Sequence, residues 1–263
     1  MDAPHWLRVA ILFGAFIAIG VWEFARPRRA PQGALGERWA SNLSLYFANT
    51  VIAALLFPAP DGVAAQLESS LSISLLHWPS SAPLLGFVVG FVLLDFLRYA
   101  THWLSHRVHF LWRLHAIHHS DPDMDVSTAF RHHPLEFALM SAILWAAFVV
   151  IGMPPAVAII YGVASSALAC LQHGNIRLPA SLDRLAQRLL VTPDMHRVHH
   201  STVWVEANSN YAVVFSFWDR LFGTYRRLPE ARLERLELGL GNVPAGKSQA
   251  LLSILLLPLR VRA

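Results

Sequence analysis

The stretch LLGFVVGFVLLDFLRYATHWLSHR, residues 84–107, decides how this chain is read. Its first part, Leu84 to Tyr99, is apolar sequence with Asp95 and Arg98 as its only charges. A bilayer-spanning helix needs about 20 predominantly apolar residues. The pattern predicts one helix that crosses a membrane and leaves it carrying His102 and His106. Working outward, Trp6–Ala25 has spanning length and is read as a retained helix, because no small-residue cleavage site follows it cleanly. Leu43–Phe57 is short and would borrow Trp39 and Ala40. Leu135–Ile151 and Ala156–Leu171 are separated by Gly152-Met153-Pro154-Pro155, a tight turn between antiparallel spans. Leu67–Trp78 and Leu251–Leu259, the latter followed by Arg260 and Arg262, read as interfacial segments. The expected fold is all-α: an integral membrane helical bundle of four or five transmembrane helices with a histidine-rich helical cap.

Composition agrees. Of 263 residues, 55% are hydrophobic and 14% charged, with mean hydropathy +0.43; a soluble domain carries about 25% charged residues. The net charge of +4 is not gathered into a Lys/Arg patch with interleaved aromatics, so nucleic acid is not an expected partner. Arginines concentrate in Arg26–Arg38, Arg98–Arg131 and from Arg177 onward, while Pro58–Pro83 and Gly152–Pro155 hold no Lys or Arg. Five spans put the arginine-rich segments on one side, which should be cytoplasmic. The expected location is a bacterial inner membrane, with the metal site facing the cytoplasm. Three regions are expected: membrane helices and an extracytoplasmic loop over 1–83, a histidine-box catalytic domain over 84–225, and a basic interfacial tail over 226–263. The single cysteine, Cys170, allows neither an internal disulfide nor a thiolate metal site.

The chain has 14 histidines, and their spacing carries the chemistry. His102 and His106 stand four apart. His115, His118 and His119 form one HxxHH box, and His196, His199 and His200 form another. Residues three and four apart share a helix face, so each box can offer three imidazoles toward one centre. His133 and His173 form a looser group. A lone HxxxH is common in helices, but two HxxHH boxes with an HxxxH are far from chance. Imidazole is a common ligand of iron, zinc and copper, and this many nitrogens suit two ions. His5, His77, His109 and His132 are expected to be interfacial, solvated or hydrogen-bonding instead.

A resemblance appears in the combined string: His102-x3-His106, then Trp112-Arg113-x-His115-x2-His118-His119-Ser120, then Thr128-Ala129-Phe130-Arg131-x-His133-Pro134, His173-x-Asn175, Thr192-Pro193-x2-His196-Arg197-x-His199-His200, and Trp218-Asp219-Arg220-Leu221-Phe222-Gly223-Thr224. Over roughly residues 84–225 it resembles the sterol desaturase/fatty acid hydroxylase superfamily. The resemblance implies a membrane-bound di-iron oxygenase that hydroxylates or desaturates a lipid-like substrate such as a sterol, fatty acyl chain, alkylglycerol or carotenoid. Its implied ligands are His102, His106, His115, His118, His119, His133, His173, His196, His199 and His200. Its implied cofactors are two iron ions, which zinc can replace in isolated protein, together with O2. Two departures stand out: Trp103 follows the first histidine where the family often has Arg, and His132 stands where an aromatic is common.

Several side chains could support such a site. Asp95, seven residues before His102, together with Asn175 and Asp194, are candidates to hydrogen-bond ligand imidazoles, as are Asn210 and Asp219. Arg107, Arg113, Arg131, Arg197 and Arg220 either reflect topology or form a dock for an acidic electron donor. That donor is expected to be a separate cytoplasmic electron-transfer protein, alongside the bilayer and an apolar lipid substrate as partners. The rival readings are a non-oxidative membrane zinc hydrolase, though no HExxH occurs, and a metal transport or storage protein. Leu135–Ile151 offers a transport path only Glu136, Ser141 and Trp145.

Overall fold

A computed structural model describes residues 5–31, 35–57, 83–241 and 249–261. The expectations for Leu67–Trp78, His77 and Arg262 lie outside them. Five described helices are long and apolar enough to cross a membrane: α1 (His5–Ala25), α2 (Leu35–Leu56), α3 (Pro83–Arg107), α5 (Pro134–Ile151) and α6 (Pro155–His173). Between and beyond them lie the cap helices α4 (His109–His119), α7 (Ala180–Ala186), α8 (Pro193–His199), α9 (Trp204–Ala207), α10 (Phe217–Leu221), α11 (Glu230–Glu234) and α12 (Leu251–Leu255). No strand occurs among the described residues, only the isolated bridges Leu190–Phe215 and Ser201–Leu238. The chain is an integral membrane helical bundle with five candidate spans.

Most spans start and stop where local chemistry dictates. The α3 helix runs 25 residues from Pro83 to Arg107 without a break, so His102 and His106 ride on a span, as the pattern predicts. The α5 helix begins at Pro134, whose missing N–H costs nothing in a first turn. It ends at Gly152, where φ is +70°, the left-handed value that favours glycine at a helix end. Pro154 and Pro155 then start α6 in the opposite direction.

The α2 helix departs from expectation by starting at Leu35 rather than Leu43. Its buried stripe is Arg38, Ser41, Asn42, Leu45 and Asn49. This polar face turns toward the cap and not toward lipid, so hydropathy conceals it. Arg38 pairs with Asp121 at 2.7 Å and with Asp125. Asn42 donates to Ser127 at 2.9 Å, and Asn49 donates to the His132 carbonyl at 3.0 Å. Asp125 also caps the 3-10 turn Val126–Phe130 in a reciprocal box with Thr128.

The α1 helix is peripheral, exposing Phe13, Ile17, Val21 and Phe24, and it packs on α6. Near its end, buried Glu23 accepts the backbone N–H groups of Val126 at 3.1 Å and Asn175 at 3.0 Å, tying the span to the cap. The segment Leu251–Leu259 docks onto the bundle: Ile254 and Leu257 are buried with Leu45, Trp112 and Ile117. Leu252 and Leu259 remain exposed. Past residue 225, Leu236 and Leu238 pack on Met124 in the cap.

Candidate metal centre

The spans and the cap meet at a buried body of imidazoles. His102 and His106 come from α3, His115, His118 and His119 from α4, and His173 from the last residue of α6. His196 and His199 lie on α8, and His200 caps it. These nine of the ten expected side chains fall into two groups. His102, His106, His115, His119 and His199 place one nitrogen each within 4.8 Å of one another, and so do His118, His173, His196 and His200.

The two boxes interleave, which corrects the expectation that each triplet serves one centre. Adjacent residues on an α-helix point about 100° apart. His118 and His119 therefore enter different groups, as do His199 and His200. The groups abut: the His119 and His200 rings stack with centroids 4.5 Å apart.

His133 is the expected ligand that lies outside both groups. Preceding Pro134, it is the N-cap of α5, and its Nδ1 accepts the Leu135 N–H at 3.0 Å. His132 turns inward in its place and stacks on His118 with centroids 4.5 Å apart. His109 is exposed at the start of α4.

Tautomers explain what the two groups can hold. His102 Nδ1 lies 2.7 Å from the Tyr211 carbonyl, His199 Nδ1 2.7 Å from the Ser209 carbonyl, and His173 Nδ1 2.8 Å from the Ala169 carbonyl. His115 Nδ1 lies 2.6 Å from Glu136 Oε1. Each acceptor fixes the ring proton on Nδ1 and leaves a lone pair on Nε2. Those lone pairs face each other: His102 Nε2 is 2.9 Å from His199 Nε2 and 3.2 Å from His115 Nε2. In the second group His173 Nε2 is 3.1 Å from His118 Nε2 and 3.0 Å from His196 Nε2. Both nitrogens of His106, Nε2 of His119, and Nδ1 of His118, His196 and His200 are buried without a hydrogen-bond partner. Opposed lone pairs and orphaned buried nitrogens are costly unless a cation draws them together. The donor set fits metal ions that favour imidazole.

Burial also keeps the rings neutral, the state a ligand requires. It pushes His118, His119, His196 and His200 well below the usual histidine range, with neighbouring rings adding to the effect. His199 is pushed down to about 3, chiefly by burial.

The side chains expected to orient these rings do other work. Asp95 accepts four hydrogen bonds, from Tyr161 Oη at 2.9 Å, Val214 N at 3.1 Å, Phe215 N at 3.0 Å and Trp218 Nε1 at 2.9 Å. It clamps α3 to α6 through Tyr161 and to the segment after Tyr211 through the other three donors. Asn175 pairs with the backbone of Arg29, and Asp194 with Arg28. Asp194 is a first-turn acid of α8, whose cap is Thr192. Backbone carbonyls take the orienting role instead, and Asp219 and Asn210 hold the loop that presents two of them. Asp219 accepts from Tyr211 N at 2.8 Å and Ala212 N at 3.0 Å, and Asn210 bonds Met195 and Arg226. Of the five arginines considered for docking, Arg131 and Arg197 are fully buried and cannot meet a partner.

Glu136 is the site residue that the sequence reading missed. In the first turn of α5, it bonds His115 and lies 3.5 Å from His132 Nδ1. The available signal was an acid placed just inside a span, which is functional by default.

A cavity of about 480 Å³ ends on this floor. Its outer wall holds Phe13 and Phe16 of α1, Phe47 of α2, and Phe137 and Met140 of α5. Its floor holds His102, His115, His118, His173 and His196 with Glu136.

A membrane helical bundle with two buried imidazole groups at one end of its spans is thereby defined. Residues 87–224, just over half of the chain, match the family described as fatty acid hydroxylase, and the chain belongs to that family. It is 31% identical over 199 residues to ornithine lipid hydroxylase OlsE of Rhizobium tropici, covering 74% of this chain and 58% of that protein. It is 30% identical over 153 residues to alkylglycerol monooxygenase of Homo sapiens, covering 57% and 32%. It is 26% identical over 179 residues to cholesterol 25-hydroxylase of Rattus norvegicus, covering 61% and 57%. In each case the matched region is less than two thirds of the relative's own length. No solved structure matches the chain at a significant level.

Proposed function

We propose that this chain is a membrane-bound di-iron oxygenase that uses O2 to hydroxylate or desaturate a lipid. The observation that carries the reading is the continuity of the cavity, from aromatic side chains of the spans to imidazoles of both groups. The similar proteins named above act, by their names, on an ornithine lipid, an alkylglycerol and cholesterol, all lipids.

The nine clustered imidazoles would hold two ions, five around one and four around the other. Iron bound there would supply the redox chemistry for O2 activation that no side chain provides. The protein's own part is placement and exclusion. Phe13, Phe16, Phe47 and Phe137 exclude water and hold an apolar chain against the floor. Glu136 keeps the His115 proton at Nδ1, so Nε2 presents its lone pair inward. Hydroxylation balances as a C–H bond, O2, two electrons and two protons giving an alcohol and water. Those electrons would come from a separate electron-transfer protein. Exposed Arg107, Arg184, Arg188 and Arg227 supply positive charge on the cap suited to an acidic donor, and the arginine bias supports a cap on the cytoplasmic side of a bacterial inner membrane.

The test is to express the chain and its His118→Ala and His199→Ala variants, grow the cells under isotopically heavy O2, and profile membrane lipids. A lipid carrying one heavy oxygen, or one new double bond that requires O2, is expected with the native chain alone. Turnover without O2, or unchanged products in both variants, would overturn the proposal.

A further inference from the structure

Two ionisable side chains sit three residues apart in α3, and the structure treats them differently. Asp95 is fully buried and receives four hydrogen bonds. Arg98 is half-buried and lines the same cavity as the histidines. Among the described residues, its guanidinium donates no hydrogen bond and meets no carboxylate within ion-pair distance. A half-buried guanidinium that lines a cavity with no carboxylate partner is costly unless something in the cavity answers it. Arg98 also stands four residues before His102, one helical turn from the first imidazole group. A cation so close to a two-ion centre is repelled by it unless an anion lies between. Ser141 of α5 and Ser166 of α6 line the same cavity and add hydroxyl groups of the kind that accompany an anion site.

We propose that Arg98 binds an acidic group, a phosphate or a carboxylate, on the lipid that occupies the cavity. This rests on the lipid-oxygenase reading and narrows its substrate class to anionic or zwitterionic lipids. Arg98 and His102 of the histidine floor line one cavity and their backbone positions on α3 are one turn, about 5.4 Å, apart, so the oxidised carbon lies toward the acidic end of the lipid and not at the far end of a long chain. Arg is suited to this role because its planar fork stays charged and pairs with both oxygens of a carboxylate or phosphate.

The experiment uses the full-length, metal-loaded protein in lipid nanodiscs with a fluorescent lipid bound in the cavity. Three competitors of equal chain length are compared: a lysophosphatidate, a fatty acid and an uncharged monoacylglycerol. At least one acid should displace the probe at a concentration ten-fold or more below that of the monoacylglycerol, and the better acid identifies phosphate or carboxylate. Arg98→Gln should erase that preference while metal content and monoacylglycerol affinity stay as in the native chain, and Arg98→Lys should keep part of it. Equal displacement by all three lipids, or a preference that survives in Arg98→Gln, overturns the assignment of Arg98 alone. Failure of all three to displace the probe overturns the lipid-oxygenase reading as well.

Discussion

Glu136 Oε1 lies 2.6 Å from His115 Nδ1, a carboxylate from the first turn of one span bonded to an imidazole at the centre of a cap helix. Removing such an outer partner typically costs 10–100-fold in metal affinity. Glu136→Ala should therefore weaken metal binding by about that factor. Glu136→Gln, whose amide oxygen still accepts the Nδ1 proton, should lose less. Titration with a competing chelator measures both, and equal affinities in native and Glu136→Ala protein would show that the pair does not orient the ring.

The interleaved boxes predict how single substitutions unload the site. His119→Ala removes one ring from the five-histidine group, and His196→Ala removes one from the four-histidine group. Each variant should retain about half of the native metal content by elemental analysis. Full loss in both variants would mean that the groups are not separable.

The neutral rings set a pH dependence in the metal-free protein. Histidines of an unfolded chain take up protons near pH 6.5. His118, His119, His196 and His200 in the folded chain titrate well below that value, and His199 at about 3. Between those limits the unfolded state binds more protons, so stability is full above about pH 6.5 and is lost as pH falls. The melting temperature in detergent should drop from pH 7 to pH 5, and bound metal should protect against the drop. A melting temperature that rises over that interval would contradict the burial argument.

Arg38 anchors the polar face of α2. Its guanidinium pairs with Asp121 and Asp125, all three groups being buried. Breaking one side of a buried pair typically costs about 3–5 kcal/mol. Arg38→Met should lower the unfolding midpoint accordingly, and Arg38→Met combined with Asp121→Asn and Asp125→Asn should recover part of the loss. A single variant as stable as the native chain would show that Asp121 finds another partner.

Several features were legible in the sequence because they obey local rules. Trp6–Ala25 and the Gly152–Pro155 turn follow from apolar length and backbone preference alone. The shared faces of His115 with His118 and His119 follow from helix geometry. The start of α2 was hidden because its inward face carries Arg38, Asn42 and Asn49, which a hydropathy reading treats as exposed. The partition of rings between groups depends on how α3, α4, α6 and α8 meet, which no spacing encodes. The choice between His132 and His133 was open to a finer local argument. A residue directly before a helix-starting proline is the N-cap, and a capping ring bonds its own backbone. Glu136 and Glu23 are acids in apolar runs whose partners come from distant parts of the chain, which local sequence does not show.

The neighbouring pairs His118–His119 and His199–His200 give the two imidazole groups a common ruler. Consecutive Cα atoms are about 3.8 Å apart whatever the helices do. Sliding or tilting α4 or α8 would shift both groups together and leave the gap between them nearly unchanged. The proposed two-ion reaction would thereby be insulated from the breathing of a bundle immersed in fluid lipid.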